Sequence, residues 1–265
     1  MTAPRFINSA IVRVPEGLLL RGAAWRPISV GVRYGLLVHP TFGPVLIDTG
    51  YGPRATRHTR RSPMLKAYGA VLRPKLIEED LPLEALARAG FGAEDVRRIV
   101  VTHLHPDHVA ALRDFPNAAF ITSAGAWTTV RSMNAAARIQ RGIFIELLPD
   151  NFDSRVLAIE GCATRDLPFG LGEGRDIWDD GSCLAVDLPG HAIGHFGLLW
   201  PRLDPPLFYA TDVTWLSEAL KGRLPGGIAR IVYEDNARMR ASAAMVRAFE
   251  QAGGRVVLCH DRVPA

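Results

Sequence analysis

A chain of 265 residues, 48% hydrophobic and 22% charged, is long enough to bury a substantial core and is composed like a globular enzyme. Its formal charge is only +4, and lysine occurs just three times among its 31 basic residues, at Lys66, Lys75 and Lys221; this arginine skew gives no reason to expect a nucleic-acid partner. Three cysteines (Cys162, Cys183, Cys259) without CxxC spacing argue against a disulfide framework and read as free thiols in a reducing compartment. No apolar run approaches the roughly 18 residues of a membrane span, and the amino terminus lacks a signal-peptide core, so a cytoplasmic location is expected. Without repeat, linker or composition shift, one domain over residues 1–265 is the simplest partition.

In chain order, residues 6–38 hold short β-rich segments, AIVRV, GLLL and VGVRYGLLVH, broken by turn signals at Pro15–Gly17 and Trp25–Pro27. Val45 to Asp48 reads as a buried strand that sets Asp48 beside a glycine turn; the aspartate could be a ligand but stands alone, and it is expected instead to hydrogen-bond backbone or to orient a ligand histidine from behind. Residues 51–78 form the least regular segment. Its arginine-rich stretch at 54–61 reads as a solvated loop, with a mobile flap that attracts anionic substrates as the alternative. Glu78–Gly90 reads as an amphipathic helix stopped by glycine, leading into a strand at Ile99. A short helix over VAALRDFP, a strand at AAFITS and a helix over 124–140 follow, then IFIELL. Residues 161–182, ending in WDDGS, suggest a hairpin loop. Cys183–Leu188 is apolar, FGLLW and PLFYATD read as strands, a helix covers 237–252, and RVVLCHD closes as a strand. Helix, strand and ligand-bearing loop in succession are α/β grammar.

The chemistry is concentrated in Ile99–Leu112, IVVTHLHPDHVAAL. Three of the eight histidines, His103, His105 and His108, fall in one hexapeptide together with Asp107. Polar loop histidines are the bland reading, but HxHxDH at the end of an apolar run has the ligand density of a metal site. Other apolar runs end in the same manner: CLAVDL leads to His191, LFYA to Asp212 and RVVL to His260. Seven imidazole and carboxylate ligands suit zinc, with iron or manganese as alternatives, and would complete two metal positions. Two such metals can share a bridging hydroxide formed near neutral pH. Cys259, beside His260, is expected on the opposite face of its strand, in the core.

THLHPDH, PGH, TD and the late CHD, preceded by LIDTG, together resemble the metallo-β-lactamase superfamily over roughly Val45 to Asp261. The resemblance implies an α/β fold of αββα four-layer sandwich type, two sheets face to face with helices outside. It implies His103, His105 and His191 as ligands of one metal, Asp107, His108 and His260 of a second, and Asp212 as the bridging carboxylate, with two Zn2+ as cofactors. Asp107 and Asp212 are the carboxylates expected to act in catalysis. In the family the histidine after PG is the ligand, which leaves His195 in a supporting or packing role. Histidine rather than glutamate at 105 departs from the redox-active diiron branch and favours hydrolysis.

Among hydrolases the pattern most resembles the N-acyl-homoserine lactonase branch, which implies attack of a metal-bridging hydroxide on a lactone or other carboxylic ester. That branch carries a tyrosine three residues after the bridging aspartate. Trp215 stands there instead, and an indole donates one N–H but cannot act as a phenol acid. VAA after HxHxDH, where Ala-Gly-Gly is usual, is a minor second departure. A phosphodiesterase or nuclease is the alternative; the 54–61 segment supports it, and the lack of aromatic–basic interleaving speaks against it. A thioester hydrolase would add a helical C-terminal domain that is missing here, and a non-catalytic metal-binding module would be expected to have lost a ligand. The expected partner is a small-molecule substrate, with no nucleic acid and no membrane span; the oligomeric state stays open, a dimer included.

Overall fold

Two mixed β-sheets build the computed structural model, which describes residues 3–225 and 233–263. The first comprises β1 (Arg5–Pro15), β2 (Pro27–His39), β3 (Gly43–Ile47), β4 (Lys75–Leu76), β5 (Arg98–Val100), β6 (Ala119–Thr122) and β7 (Val156–Ala158), in the order β4-β1-β2-β3-β5-β6-β7. The second comprises β8 (Thr164–Asp166), β9 (Glu173–Asp176), β10 (Leu184–Asp187), β11 (Phe196–Trp200), β12 (Leu207–Thr211) and β13 (Arg255–Leu258), in the order β13-β12-β11-β10-β9-β8. Phe6 of β1 reaches across the interface to Tyr209 of β12 and Trp200 of β11, with ring centroids 4.6 and 6.5 Å apart. β11 and β12 are buried at every position. Such strands read as unbroken apolar runs because both faces are covered.

The helices are α1 (Glu16–Leu19), α2 (Pro53–Thr56), α3 (Pro63–Leu72), α4 (Pro82–Arg88), α5 (Pro106–Val109), α6 (Ala124–Ser132), α7 (Ala135–Gln140), α8 (Ser217–Leu220) and α9 (Asn236–Gln251). In α9 the Asp235 side chain caps the first turn, accepting from the backbone N–H groups of Ala237 and Arg238. Its buried residues Met239, Ala243, Val246 and Phe249 recur at helical spacing, and Val246 and Phe249 share a cluster with Leu199 and Phe208 on the outer face of the second sheet.

Local chemistry explains where the elements depart from expectation. GLLL is mostly the short helix α1, not a strand: it follows Pro15, and Leu19 and Leu20 are buried while the chain turns back to β2. The irregular 51–78 segment contains α2 and α3. The expected Glu78–Gly90 helix is interrupted at Leu81, where Pro82 cannot donate to the preceding turn and instead opens α4. The 124–140 helix is two helices, because Asn134 turns its side chain to the Ala137 N–H (2.9 Å) and caps a new start. Residues 161–182 include the β8–β9 hairpin, and WDDGS joins β9 to β10.

β3 pairs parallel with β5, and β12 parallel with β13, so each pair delivers its carboxyl ends to one edge. Beyond β13 the chain crosses to the other sheet: Arg33 N–H donates to the Cys259 carbonyl (3.0 Å) and Gly31 N–H to that of Asp261 (2.9 Å). This crossing holds the edge of the sandwich together and positions His260 there.

Candidate metal centre

β5 ends at Val100, and Thr102, His103 and His105 follow before Pro106 opens α5. Proline suits a first helical position, where the N–H has no partner in any case. The helix therefore begins inside the motif, ahead of the VAALRDFP span expected for it, and Asp107 and His108 leave from its first turn.

His105 Nε2 lies 3.0 Å from the Arg141 carbonyl oxygen, to which it can only donate, so its Nδ1 bears the lone pair. That Nδ1 is 3.0 Å from His103 Nε2 and 3.0 Å from His191 Nε2. One lone pair accepts one in-plane hydrogen, so the three nitrogens cannot satisfy each other. Burial holds His103 and His191 well below the usual imidazole range and lowers His105 as well. Neutral rings with converging lone pairs are what a borderline cation requires.

On the other side, His108 Nδ1 lies 2.8 Å from Asp48 Oδ2, and His260 Nδ1 lies 2.9 Å from the Gly31 carbonyl oxygen, which turns both Nε2 atoms inward. His260 Nε2 is 3.2 Å from Asp107 Oδ2 and 3.3 Å from Asp212 Oδ2. His108 Nε2 is 3.5 Å from Asp212 Oδ1, and both atoms are buried without a hydrogen-bond partner. Asp212 Oδ2 also lies 3.4 Å from His191 Nε2, so this carboxylate stands between the two groups. Burial works against its charge, yet His260 and His108 hold its carboxyl well below the usual range. Ligand atoms of His103, His105 and His191 lie within 4.8 Å of one another, as do those of Asp107, His108, Cys259 and His260. Burial opposes it, yet Asp48 and Asp212 among other groups raise His108, and Asp212 with Asp107 raises His260, well above the usual imidazole range, so their inward Nε2 atoms carry protons whose place an ion would take. The lone pairs of the first group, the unpartnered buried atoms and a nitrogen–oxygen donor set fit a pair of metal ions.

The supporting groups come from distant elements. Asp48, held at φ 57°, accepts from Thr102 N–H (2.8 Å) and Thr102 Oγ1 (2.9 Å) besides facing His108. Thr102 carries no signal in the sequence that would single it out. His195 donates from Nδ1 to the Leu188 carbonyl (2.7 Å), while its Nε2 accepts from the Thr211 hydroxyl, with the Asp212 backbone N 3.4 Å away. Burial lowers its pKa to about 4, so the ring is neutral and both nitrogens are engaged behind Asp212. Cys259 lies in the core as expected, its thiol donating to the Arg33 carbonyl (3.4 Å), but it is not turned away from the centre. β13 stops at Leu258, so strand alternation no longer applies, and the Cys259 thiol, although buried, lies on the same side as Asp107, His108 and His260.

The centre opens into a cavity of about 570 Å³ whose wall is largely hydrocarbon, including Val12, Leu18, Met64, Val71, Ile139 and Phe144. His105, Asp107, His191, Asp212 and His260 line it, as does Trp215, whose ring stacks on Tyr233 at 5.1 Å. α3, read from sequence as part of a loop, forms one wall. No residue of the 54–61 segment lines the cavity; Arg54 pairs with Asp114 (3.1 Å), Arg57 with Glu78 (2.9 Å), and Arg61 with backbone carbonyls.

A layered sandwich with this cluster at one edge defines a class, and comparison with known proteins agrees. The profile of the metallo-beta-lactamase superfamily matches residues 31–215, and the chain belongs to that superfamily. A probable metallo-hydrolase of Mycobacterium tuberculosis is 30% identical over 169 residues, 60% of this chain and 49% of that protein, so the chain spans about half the length of that relative. The N-acyl homoserine lactonase AttM of Azorhizobium caulinodans is 28% identical over 237 residues, 88% of this chain and 82% of that one. Among solved structures, a variant of AiiA from B. thuringiensis with N-decanoyl-L-homoserine bound at its active site superposes with a TM-score of 0.72 at 19% identity, covering 98% of this chain and 94% of that one. AidC, a dizinc quorum-quenching lactonase, superposes with a TM-score of 0.64 at 16% identity, over 98% and 87% of the two chains. The fold is the metallo-β-lactamase fold, and the relatives include the lactonase branch that the motifs resemble.

Proposed function

We propose that the chain is a metal-dependent hydrolase that holds two ions, zinc foremost, and cleaves lactones or other carboxylic esters with an apolar acyl part. The observation that carries this reading is the convergence of three neutral imidazoles, with His105 Nδ1 3.0 Å from both His103 Nε2 and His191 Nε2, beside a hydrocarbon-walled cavity that His105 and His191 line. The lactonase relatives AttM and AiiA support it.

His103, His105 and His191 would hold one ion, Asp107, His108 and His260 the other, with Asp212 between them. When bound, the two ions would supply a water acidic enough to attack near neutral pH and polarise the carbonyl under attack. The chain's own contribution is preorganisation. Asp48 fixes the tautomer of His108, and the Gly31 and Arg141 carbonyls do the same for His260 and His105. Asp107 opens to the cavity and is the carboxylate able to take up or return a proton at Oδ2. The apolar walls hold the acyl chain and exclude bulk water. With Arg54, Arg57 and Arg61 held by Asp114, Glu78 and backbone carbonyls and no residue of 54–61 lining the cavity, the segment lends no support to a phosphodiester substrate.

Metal analysis of protein purified without chelator is expected to find two equivalents, and fewer than one would refute the dinuclear reading. A panel of lactone, aryl ester, thioester and bis-p-nitrophenyl phosphate on metal-loaded protein is expected to show turnover of lactone and ester, with little on the phosphodiester. Preference for the phosphodiester would reverse the assignment.

A further inference from the structure

Tyr51 and Tyr68 meet on the cavity wall with their hydroxyl oxygens 3.1 Å apart. Two phenols carry two protons, and the contact between them uses one. Among the described residues, neither hydroxyl has another hydrogen-bond partner. Tyr51 is 2% exposed and lies in the core, whereas Tyr68 is half-buried on α3, beside Phe144 at 5.3 Å. Leaving the more deeply buried O–H unpaired is the costlier choice. Tyr51 therefore donates to Tyr68, and the proton without an acceptor is that of Tyr68, on the cavity side.

Its surroundings give that proton a use. Apart from the two tyrosines, the indole of Trp215, the Met64 thioether and the proposed metal ligands, the side chains lining the cavity are hydrocarbon. Trp215 flanks His191, with ring centroids 6.2 Å apart. Tyr68 instead feels the charges of Asp107, His260 and His108, on the other side of the centre. Burial first, and then the Asp107 carboxylate, raise the Tyr68 phenol above its ordinary range, so it stays a donor at neutral pH.

We infer that Tyr68 donates this spare proton in a hydrogen bond to an oxygen of the ester group under attack, with Tyr51 fixing its direction. The inference rests on the hydrolase reading above. It also supplies a phenol to a site where residue 215 is an indole: the hydroxyl comes from the helix wall, more than a hundred residues earlier in the chain.

The test is Tyr68→Phe, which removes only the hydroxyl, run beside Tyr51→Phe and the double variant on the lactone and ester panel. Tyr68→Phe is expected to lose about 100- to 1,000-fold in kcat, the scale of a lost transition-state hydrogen bond, with KM changed less than about threefold and with metal content and Tm unchanged. Tyr51→Phe keeps the Tyr68 proton but frees its direction, so its loss is smaller, and the double variant is no worse than Tyr68→Phe within about twofold, because the two act as one unit. Wild-type activity with Tyr68→Phe within about twofold of it overturns the inference alone. So does a loss that tracks lost metal or lowered Tm, since the role is then structural. A metal-loaded wild type that turns over nothing in the panel overturns the hydrolase reading and this inference together.

Discussion

The Asp48 carboxylate lies 2.8 Å from His108 Nδ1, and neither side chain has any exposed surface. The contact joins the end of β3 to the first turn of α5 and leaves His108 Nε2 facing Asp212. Asp48→Asn keeps the shape and removes the charge. It is expected to weaken binding of the ion at His108 by about 10- to 100-fold, the usual cost of disturbing a group that orients a metal ligand. Competition against a zinc chelator measures this, and an unchanged affinity would remove Asp48 from that role.

Asp107→Ala takes a carboxylate from one group and leaves His103, His105 and His191 intact. The variant is expected to bind about one metal equivalent instead of two and to lose measurable turnover. Activity near wild type would refute the assignment of Asp107.

Trp215 stands where the lactonase pattern has tyrosine, stacked on Tyr233. If the indole serves mainly to form the wall, Trp215→Tyr leaves lactone turnover unchanged or raises it. A collapse of kcat at constant metal content would show that the indole has its own role.

The α3 wall sets the length of chain the cavity accepts. Ala67 lines the cavity and is solvent-accessible, so a larger side chain can be introduced there without overpacking the core. Ala67→Phe is expected to lower kcat/KM for a decanoyl ester by at least about tenfold while sparing the acetyl ester, since each buried methylene contributes about 0.8 kcal/mol. Equal losses on both esters would place the acyl chain elsewhere.

Glu16 is buried against Arg26 (2.8 Å) and Arg262, tying α1 to the residues beyond β13. Arg26 and then Arg262 hold its carboxyl below the ordinary glutamate range. A lowered folded-state pKa means that the stabilisation is present above the unfolded pKa and is lost as pH falls through the folded one. Wild type is therefore expected to melt above Glu16→Gln at pH 7, and the gap is expected to close as pH drops below about 4. A gap that does not change as pH falls would assign the difference to packing.

Much of the candidate site was legible from sequence because its donors are encoded locally. A run of apolar residues makes a strand, the strand ends, and the next few residues point into the edge; HxHxDH, PGH, TD and CHD each follow that pattern, and the fold brings all seven side chains together. The helix breaks at Pro82 and Asn134 were visible too, in the identity of those residues, but were overridden by the apolar spacing around them. The helix α3 was hidden because its residues 63–72 follow an arginine-rich turn and their apolar face is covered only by the cavity.

The sequence by itself determined which residue types gather at the sheet edge and in what order, since short-range pattern decides where strands stop. The tertiary structure alone decided which nitrogen of each histidine faces inward. His105 is turned by the Arg141 carbonyl, 36 residues away, His108 by Asp48, 60 away, and His260 by the Gly31 carbonyl, 229 away. It also decided that Cys259 shares the side of His260 and that the Tyr51–Tyr68 pair has one proton to spare. Hydrogen-bond acceptors on the backbone and the walls of a cavity are properties of non-local packing, and no spacing along the chain encodes them.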